Sequence, residues 1–221
     1  MKRTNPLDVI RRRYDEFAPT YLETWGRLEG YSDTVTSFLA REATTGCRVL
    51  DLGCGPGHFT TMLPDGVQVV GLDLSPGMIA RAADARPSGT WRVHDYYEPI
   101  PEDLGVFDVV VAVGALDFCE DIDAVLGHVA ARTRSGGSLL VSLIERRQGV
   151  HLHEAQRLPI TPERMPGVDL VFYTLAEMSA AFDRAGLIVR RHENRKGYHN
   201  QFHALDVGYA IWELGRATPV A

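Results

Sequence analysis

The chain has 221 residues, 45% hydrophobic and 24% charged, with 23 Lys and Arg against 29 Asp and Glu and a formal charge of -6. That composition suits a globular protein with a sizeable core, and the acidic balance argues against a nucleic-acid partner, which needs a basic face to neutralise phosphates. Cys47, Cys54 and Cys119 are too few for a disulfide framework and lack zinc spacing, the basic residues 1–13 carry no signal-peptide core, and no window reaches the roughly 20 apolar residues of a membrane span, so a cytoplasmic home without membrane contact is expected.

Residues 5–25 predict one or two helices, because Tyr14, Phe17, Tyr21, Leu22 and Trp25 recur at threes and fours, with Pro19 breaking the run. They read either as a cap with its aromatics in the core or as a lid whose Tyr14 and Tyr21 line a pocket. Arg11, Arg12 and Arg13 read as a solvated face. Residues 32–43 predict a second amphipathic helix that buries Val35, Phe38 and Leu39.

A regular alternation follows. Strands are expected at 47–52, 67–72, 91–94, 107–113 and 138–144, and helices at 58–63, 76–85 and 121–132. Ser75 can N-cap the second of these helices, with Pro76 at its first position. Ser135, Gly136 and Gly137 read as a turn into the fifth strand. The alternation implies crossover units and a parallel sheet. Residues 148–167, with His151, His153 and three prolines, break the rhythm and read as a lid or binding loop. A helix at 174–185, a strand at 187–192, a polar loop at 193–204 and a strand at 205–212 complete the pattern. The last connection lacks a helical pattern, which implies an antiparallel hairpin.

The chemistry centres on Val49-Leu50-Asp51-Leu52-Gly53-Cys54-Gly55-Pro56-Gly57, an apolar strand that turns abruptly into alternating glycines. Glycines at such a turn let the backbone approach a ligand, and the carboxyl ends of parallel strands are where nucleotide-like ligands lie. Asp51, Asp73 and Asp95 stand at the ends of three successive strands, which parallel pairing puts on one rim. Asp73 lies about twenty residues past Gly53, where a carboxylate can accept both hydroxyls of a ribose. Asp95 is placed to accept a hydrogen bond from an adenine amine. A nicotinamide dinucleotide would want Gly-x-Gly-x-x-Gly, whereas position 58 is His58 and no hydride-transfer triad is evident.

Further motifs join the glycine turn: Gly71-Leu72-Asp73-Leu74-Ser75-Pro76-Gly77-Met78, His94-Asp95, Phe107-Asp108-Val109-Val110 running into Gly114-Ala115-Leu116, the turn from Arg134 to Leu140, and the opening Tyr14 to Tyr21. Together they resemble the class I S-adenosylmethionine-dependent methyltransferases that act on small molecules. The resemblance covers nearly the whole chain. It implies an α/β, Rossmann-like three-layer sandwich with a seven-stranded, mostly parallel sheet in the order 3-2-1-4-5-7-6, the last strand reversed, and an N-terminal helical lid. One domain is expected: the lid at 1–45, a cofactor-binding half at 46–145, and a substrate-side insertion with the C-terminal hairpin at 146–221.

The same resemblance implies the cofactor S-adenosyl-L-methionine, leaving as S-adenosyl-L-homocysteine. Gly53, Gly55 and Gly57, with Cys54 in the same turn, would meet its methionine part, with Asp51 near its ammonium, directly or through water. Asp73 would hold the ribose, Leu74 and Met78 would pack the adenine, and Asp95 and Tyr96 would contact its amine edge. Gly114 and Ala115 would pass beneath the sulfonium, and Tyr14 and Tyr21 of the lid would line the cofactor pocket.

The acceptor should enter from the same rim. His151 and His153 from the insertion and His199 and His203 from the loop after the sixth strand are candidates to act as a base or to hold it. Asp117 and Glu120 are further polar candidates, and no metal is expected. The reading is methyl transfer to an O or N nucleophile of a small molecule by a monomer or homodimer. RNA or protein methylation, a non-methylating cyclase that keeps the cofactor, and a nicotinamide oxidoreductase are its rivals. The run Arg190-Arg191-His192 with Arg195 and Lys196 is the best argument for an anionic partner.

Overall fold

The apolar runs become β1 (Arg48–Leu52), β2 (Gln68–Asp73) and β4 (Phe107–Ala112), almost wholly buried because helices cover both faces of the sheet. The computed structural model describes residues 6–25, 30–145, 157–159, 165, 167–200 and 205–218. With β3 (Thr90–Val93), β5 (Thr133–Ile144), β8 (Leu187–Asn200) and β9 (Leu205–Arg216), these strands form one sheet in the order β3-β2-β1-β4-β5-β9-β8. β9 runs antiparallel to both its neighbours and the other pairs are parallel. The order and the reversed last strand are those implied by the sequence.

Alternate side chains divide the core into two layers. Leu50, Leu52, Val110 and Leu139 pack with Val125 and Leu126 of α5 (Ile122–Arg132) and with Phe182 of α6 (Leu175–Arg184). Val49, Val69, Val109 and Val111 face Tyr31, Phe38 and Leu39 of α3 (Tyr31–Glu42). Ahead of them, α1 (Pro6–Phe17) and α2 (Tyr21–Trp25) are separated by a turn that contains Pro19. Helix α4 (Pro76–Ala85) is capped as expected: Ser75 Oγ accepts from Met78 N at 3.1 Å, and Pro76 begins the helix.

Four local expectations need correction. Residues 58–63 form successive turns rather than a helix, with Thr60 N and Thr61 N both bonded to the Gly57 carbonyl. Ser135, Gly136 and Gly137 lie inside β5 as a bulge: Phe107 pairs with Thr133, but Val109 pairs with Ser138. The insertion contributes a strand, β6 (Arg157–Pro159), paired with β7 (Asp169–Val171). Residues 193–200 are not a loop but the second half of β8, in register with β9 from Glu193↔Ile211 to Asn200↔Leu205. Their polar character misled because β8 is an edge strand with one long side open to solvent.

That extension matters for the site. β5 ends at Ile144, opposite Tyr209, so the hairpin beyond Lys196↔Gly208 projects past the carboxyl end of β5. The basic run on β8 is engaged within the chain: Arg190 donates to Ser138 Oγ at 2.8 Å, Arg191 and Arg195 pair with Glu193 at 2.9 and 2.8 Å, and Arg195 also donates to Thr34 Oγ1 at 3.0 Å.

Candidate active site

A cleft partly open to solvent lies at the carboxyl rim between the glycine turn, the start of α4, the segment after β4 and the underside of α1. Its walls include Tyr14, Tyr21, Gly53, Gly55, Asp73, Leu74, Met78, Asp95, Tyr96, Gly114 and Ala115. Asp51, Cys54 and Gly57 do not line it.

The glycine turn is shaped by contacts as well as by backbone angle. Gly53 has φ +71°, and a Cβ there would sit 2.2 Å from the Ala115 Cβ. The turn after β1 therefore lies directly against the segment after β4. A Cβ on Gly55 (φ +52°) would meet nothing within 4 Å, which leaves the backbone open toward the cleft. Gly57 is packed away from it, against Thr61, Ala82 and Trp91. Cys54 tucks its thiol against Gly71.

Asp73 is held by two backbone donors, Gly55 N to Oδ2 at 2.8 Å and Ser75 N to Oδ1 at 2.8 Å. Each oxygen keeps lone-pair capacity for a ligand. Burial raises its pKa above the usual carboxylate range, and the two backbone bonds offset part of that. Asp95 forms its own turn by accepting from Tyr97 N at 2.9 Å. The carboxylates of Asp73 and Asp95 thus share the cleft. Asp51 does not join them: it is 4% exposed and accepts from Thr60 Oγ1 at 2.6 Å behind the turn. Burial raises its pKa to about 7. Its position one residue before the strand end turns its side chain to the α3 layer, which the pleat requires.

The roof comes from α1. Asp15 Oδ1 accepts from Ser75 Oγ at 2.5 Å and Gly77 N at 2.9 Å, tying the lid to the start of α4. Val9 and Ile10 pack against Met165 and Val168 at the end of the insertion, with Leu7, Tyr14, Leu74 and Phe118 beside them. Leu7, Ile10, Arg11, Ser75 and Phe118 line the cleft without having been singled out as site residues. Leu7, Ile10 and Tyr14 were detectable as one helical stripe at spacings of three and four. Arg11 also pairs with Asp8 at 3.1 Å along the helix. Phe118 carries no such signal.

The acceptor-side histidines are a different matter. His151, His153, His203 and the side chain of His199 lie outside the described residues. The backbone of His199 belongs to β8, opposite Asp206, instead of the expected loop.

The reversed last strand, the glycine turn after the first strand and the acids that end the second and third are the features by which this chain resembles the class I S-adenosylmethionine-dependent methyltransferases. Residues 49–137, from β1 into the bulge of β5, match the methyltransferase domain family. Over 99 residues the chain is 40% identical to the magnesium-protoporphyrin O-methyltransferase of Rhodobacter capsulatus, a match covering 41% of this chain and 43% of that protein. The chain thus spans less than half the length of the curated relatives it matches. Among solved structures it resembles magnesium protoporphyrin IX methyltransferase from Synechocystis PCC 6803 with bound S-adenosylhomocysteine, at a TM-score of 0.70 and 17% identity over 95% of this chain and 99% of that one. It is equally similar to the [4+2]-cyclase SpnF, at a TM-score of 0.71 and 18% identity over 95% and 96% of the two chains. Likenesses at such identities establish the fold, and this fold carries more than one chemistry.

Proposed function

We propose that the chain binds S-adenosylmethionine in this cleft and transfers its methyl group to an O or N nucleophile of a small molecule, releasing S-adenosylhomocysteine. The observation that carries the reading is the Asp73 carboxylate, held by Gly55 and Ser75 with lone pairs to spare, in one cleft with Asp95 and the open backbone of Gly55. That arrangement fits a nucleoside with a cis-diol at one end and an aminoacyl arm at the other.

Asp73 takes the ribose hydroxyls, Leu74 and Met78 flank the adenine, and Asp95 with Tyr96 lies at its edge. Gly53, Gly55 and the Gly114–Ala115 segment meet the methionine arm. When bound, the cofactor supplies a methyl carbon activated by a positively charged sulfur. The chain's own contribution is to orient the two reactants and to exclude water. The roof of Val9, Ile10, Met165 and Val168 provides the exclusion. Asp51 supports the turn from behind, through Thr60, and does not touch the ligand. An acceptor that carries its own proton also needs a base.

The direct test is transfer of labelled methyl from S-adenosylmethionine to a panel of small phenols, alcohols and amines, beside calorimetric binding of S-adenosylhomocysteine. Asp73→Ala should weaken that binding by about 2 kcal/mol, roughly thirtyfold, for two charge-assisted hydrogen bonds. Wild-type affinity in this variant would reject the ribose assignment.

A further inference from the structure

Strand β4 leaves its ladder just before the cleft. Its last registered pair with β5 is Ala112↔Val141. Two residues on, Gly114 turns through a φ of +67° and lines the cleft together with Ala115. There a side chain takes the place of the ladder: the Gly114 N–H donates to Ser142 Oγ of β5 at 2.8 Å. Ser142 is fully buried, and a hydroxyl in such a place is costly unless bonded. Its second bond is to the Tyr31 hydroxyl of α3, 2.8 Å away.

Tyr31 steadies that serine. It is 4% exposed, and its ring centroid stands 5.1 Å from that of Tyr209 on β9 and 6.5 Å from that of Phe59 beyond the glycine turn. Its hydroxyl lies 3.5 Å from the point where a Cβ on Gly114 would stand. Ala115, the next residue, meets the glycine turn itself, since a Cβ on Gly53 would stand 2.2 Å from the Ala115 Cβ. Contacts therefore run without a break from α3 and β5, through Gly114 and Ala115, to the turn after β1. Ser142 and Tyr31 do not line the cleft and act from behind its wall. Alanine or valine at position 142 would suit the apolar α3 layer, to which Leu140 and Ile144 of the same strand belong, but could not accept from Gly114 N.

We propose that Ser142, steadied by Tyr31, is a positioning residue: its hydroxyl sets where the Gly114–Ala115 floor stands against the methionine arm, and so selects ligands that carry that arm. The inference rests on the functional reading above, which puts the arm on this floor. The nucleoside end of the ligand is held independently, by Asp73 with its bonds from Gly55 N and Ser75 N. A displaced floor is therefore felt at one end of the ligand and not at the other.

The test uses the full chain and two ligands. S-adenosylhomocysteine carries the aminoacyl arm, and methylthioadenosine keeps the nucleoside and the sulfur without it. Calorimetry should show Ser142→Ala weakening S-adenosylhomocysteine on the order of tenfold and leaving methylthioadenosine within about twofold of wild type. In chains labelled with nitrogen-15 glycine, with Gly114→Ala giving the assignment, the Gly114 amide signal should move in Ser142→Ala and exchange with solvent on the order of tenfold faster. Tyr31→Phe keeps the serine and removes its support, so it should weaken S-adenosylhomocysteine by about threefold with the same selectivity, and it carries the test if Ser142→Ala does not fold. Equal weakening of the two ligands or an unchanged affinity for S-adenosylhomocysteine, in either variant, would overturn the proposal, as would a Gly114 amide that ignores Ser142→Ala. A wild-type chain that binds neither ligand would instead remove the reading on which it rests.

Discussion

The cleft rim and the polar cluster beside it are built on different principles. The rim is assembled from strand ends that follow one another in the chain, from the turn after β1 to Asp95 after β3. Backbone atoms do most of the positioning there: Gly55 N and Ser75 N hold Asp73, and Tyr97 N holds Asp95. The polar cluster beside it is assembled from Tyr21, Tyr31, Asp117, Ser142 and Tyr209, which sit on α2, α3, the segment after β4, β5 and β9, and of these Tyr21 lines the cleft. Side chains hold one another there, across separations such as the 111 residues between Tyr31 and Ser142. A short recurring motif can encode the first kind of site. The second exists only once the sheet has formed.

The contrast can be broken most severely at Gly53. Gly53→Val would drive a Cβ into Ala115 at a φ of +71°. Backbone strain and overpacking each cost about 1–3 kcal/mol, so S-adenosylhomocysteine binding should be lost in calorimetry and the melting temperature should fall by several degrees. Retained binding would place the ligand somewhere other than against this turn.

Tyr209→Phe probes the cluster. It leaves both Asp117 oxygens bare and should cost about 1–3 kcal/mol in chemical denaturation. S-adenosylhomocysteine affinity should hardly change, since Tyr209 is remote from the glycine turn in the hydrogen-bond network. An equal loss of stability and of ligand affinity would show that the rim and the Tyr209 end of the cluster are coupled after all.

The last effect concerns Asp51 and appears only as a pH dependence. Its folded pKa of about 7 lies above the ordinary 3.8, so between those values the folded chain keeps a proton that the unfolded chain has released. The Asp51 contribution to stability is therefore intact below about pH 4 and declines as the pH rises through 7. Asp51→Asn removes that decline and can still accept from Thr60. Its melting temperature relative to wild type should be near zero difference at pH 4 and highest above pH 7. A constant offset across the range would mean that Asp51 is not buried as a carboxyl group.

Much of the rim was legible because glycine, proline and a capping serine impose their geometry wherever they fall. Gly53, Ser75, Pro76 and the final hairpin behave as their residue types require. Asp51 does not line the cleft beside Asp73 and Asp95, because counting to a strand end does not say which face the last side chain takes. The second half of β8 was read as a loop because an edge strand open to solvent looks polar. The bulge at Gly136 was read as a turn because both need a left-handed residue, here at φ +77°.

From its residues alone, the chain determined the alternation of strands and helices, the reversed last strand and the pair Asp73 and Asp95 on one rim. Local backbone preferences and apolar periodicity are sufficient for that. Only the tertiary structure decided that Asp51 faces away, that α1 is latched to α4 through Asp15, and that Asp117 bonds Tyr209 through one oxygen while the other is unpartnered among the described residues. Those outcomes depend on which distant side chains meet in the packed interior, and no spacing along the chain records such meetings.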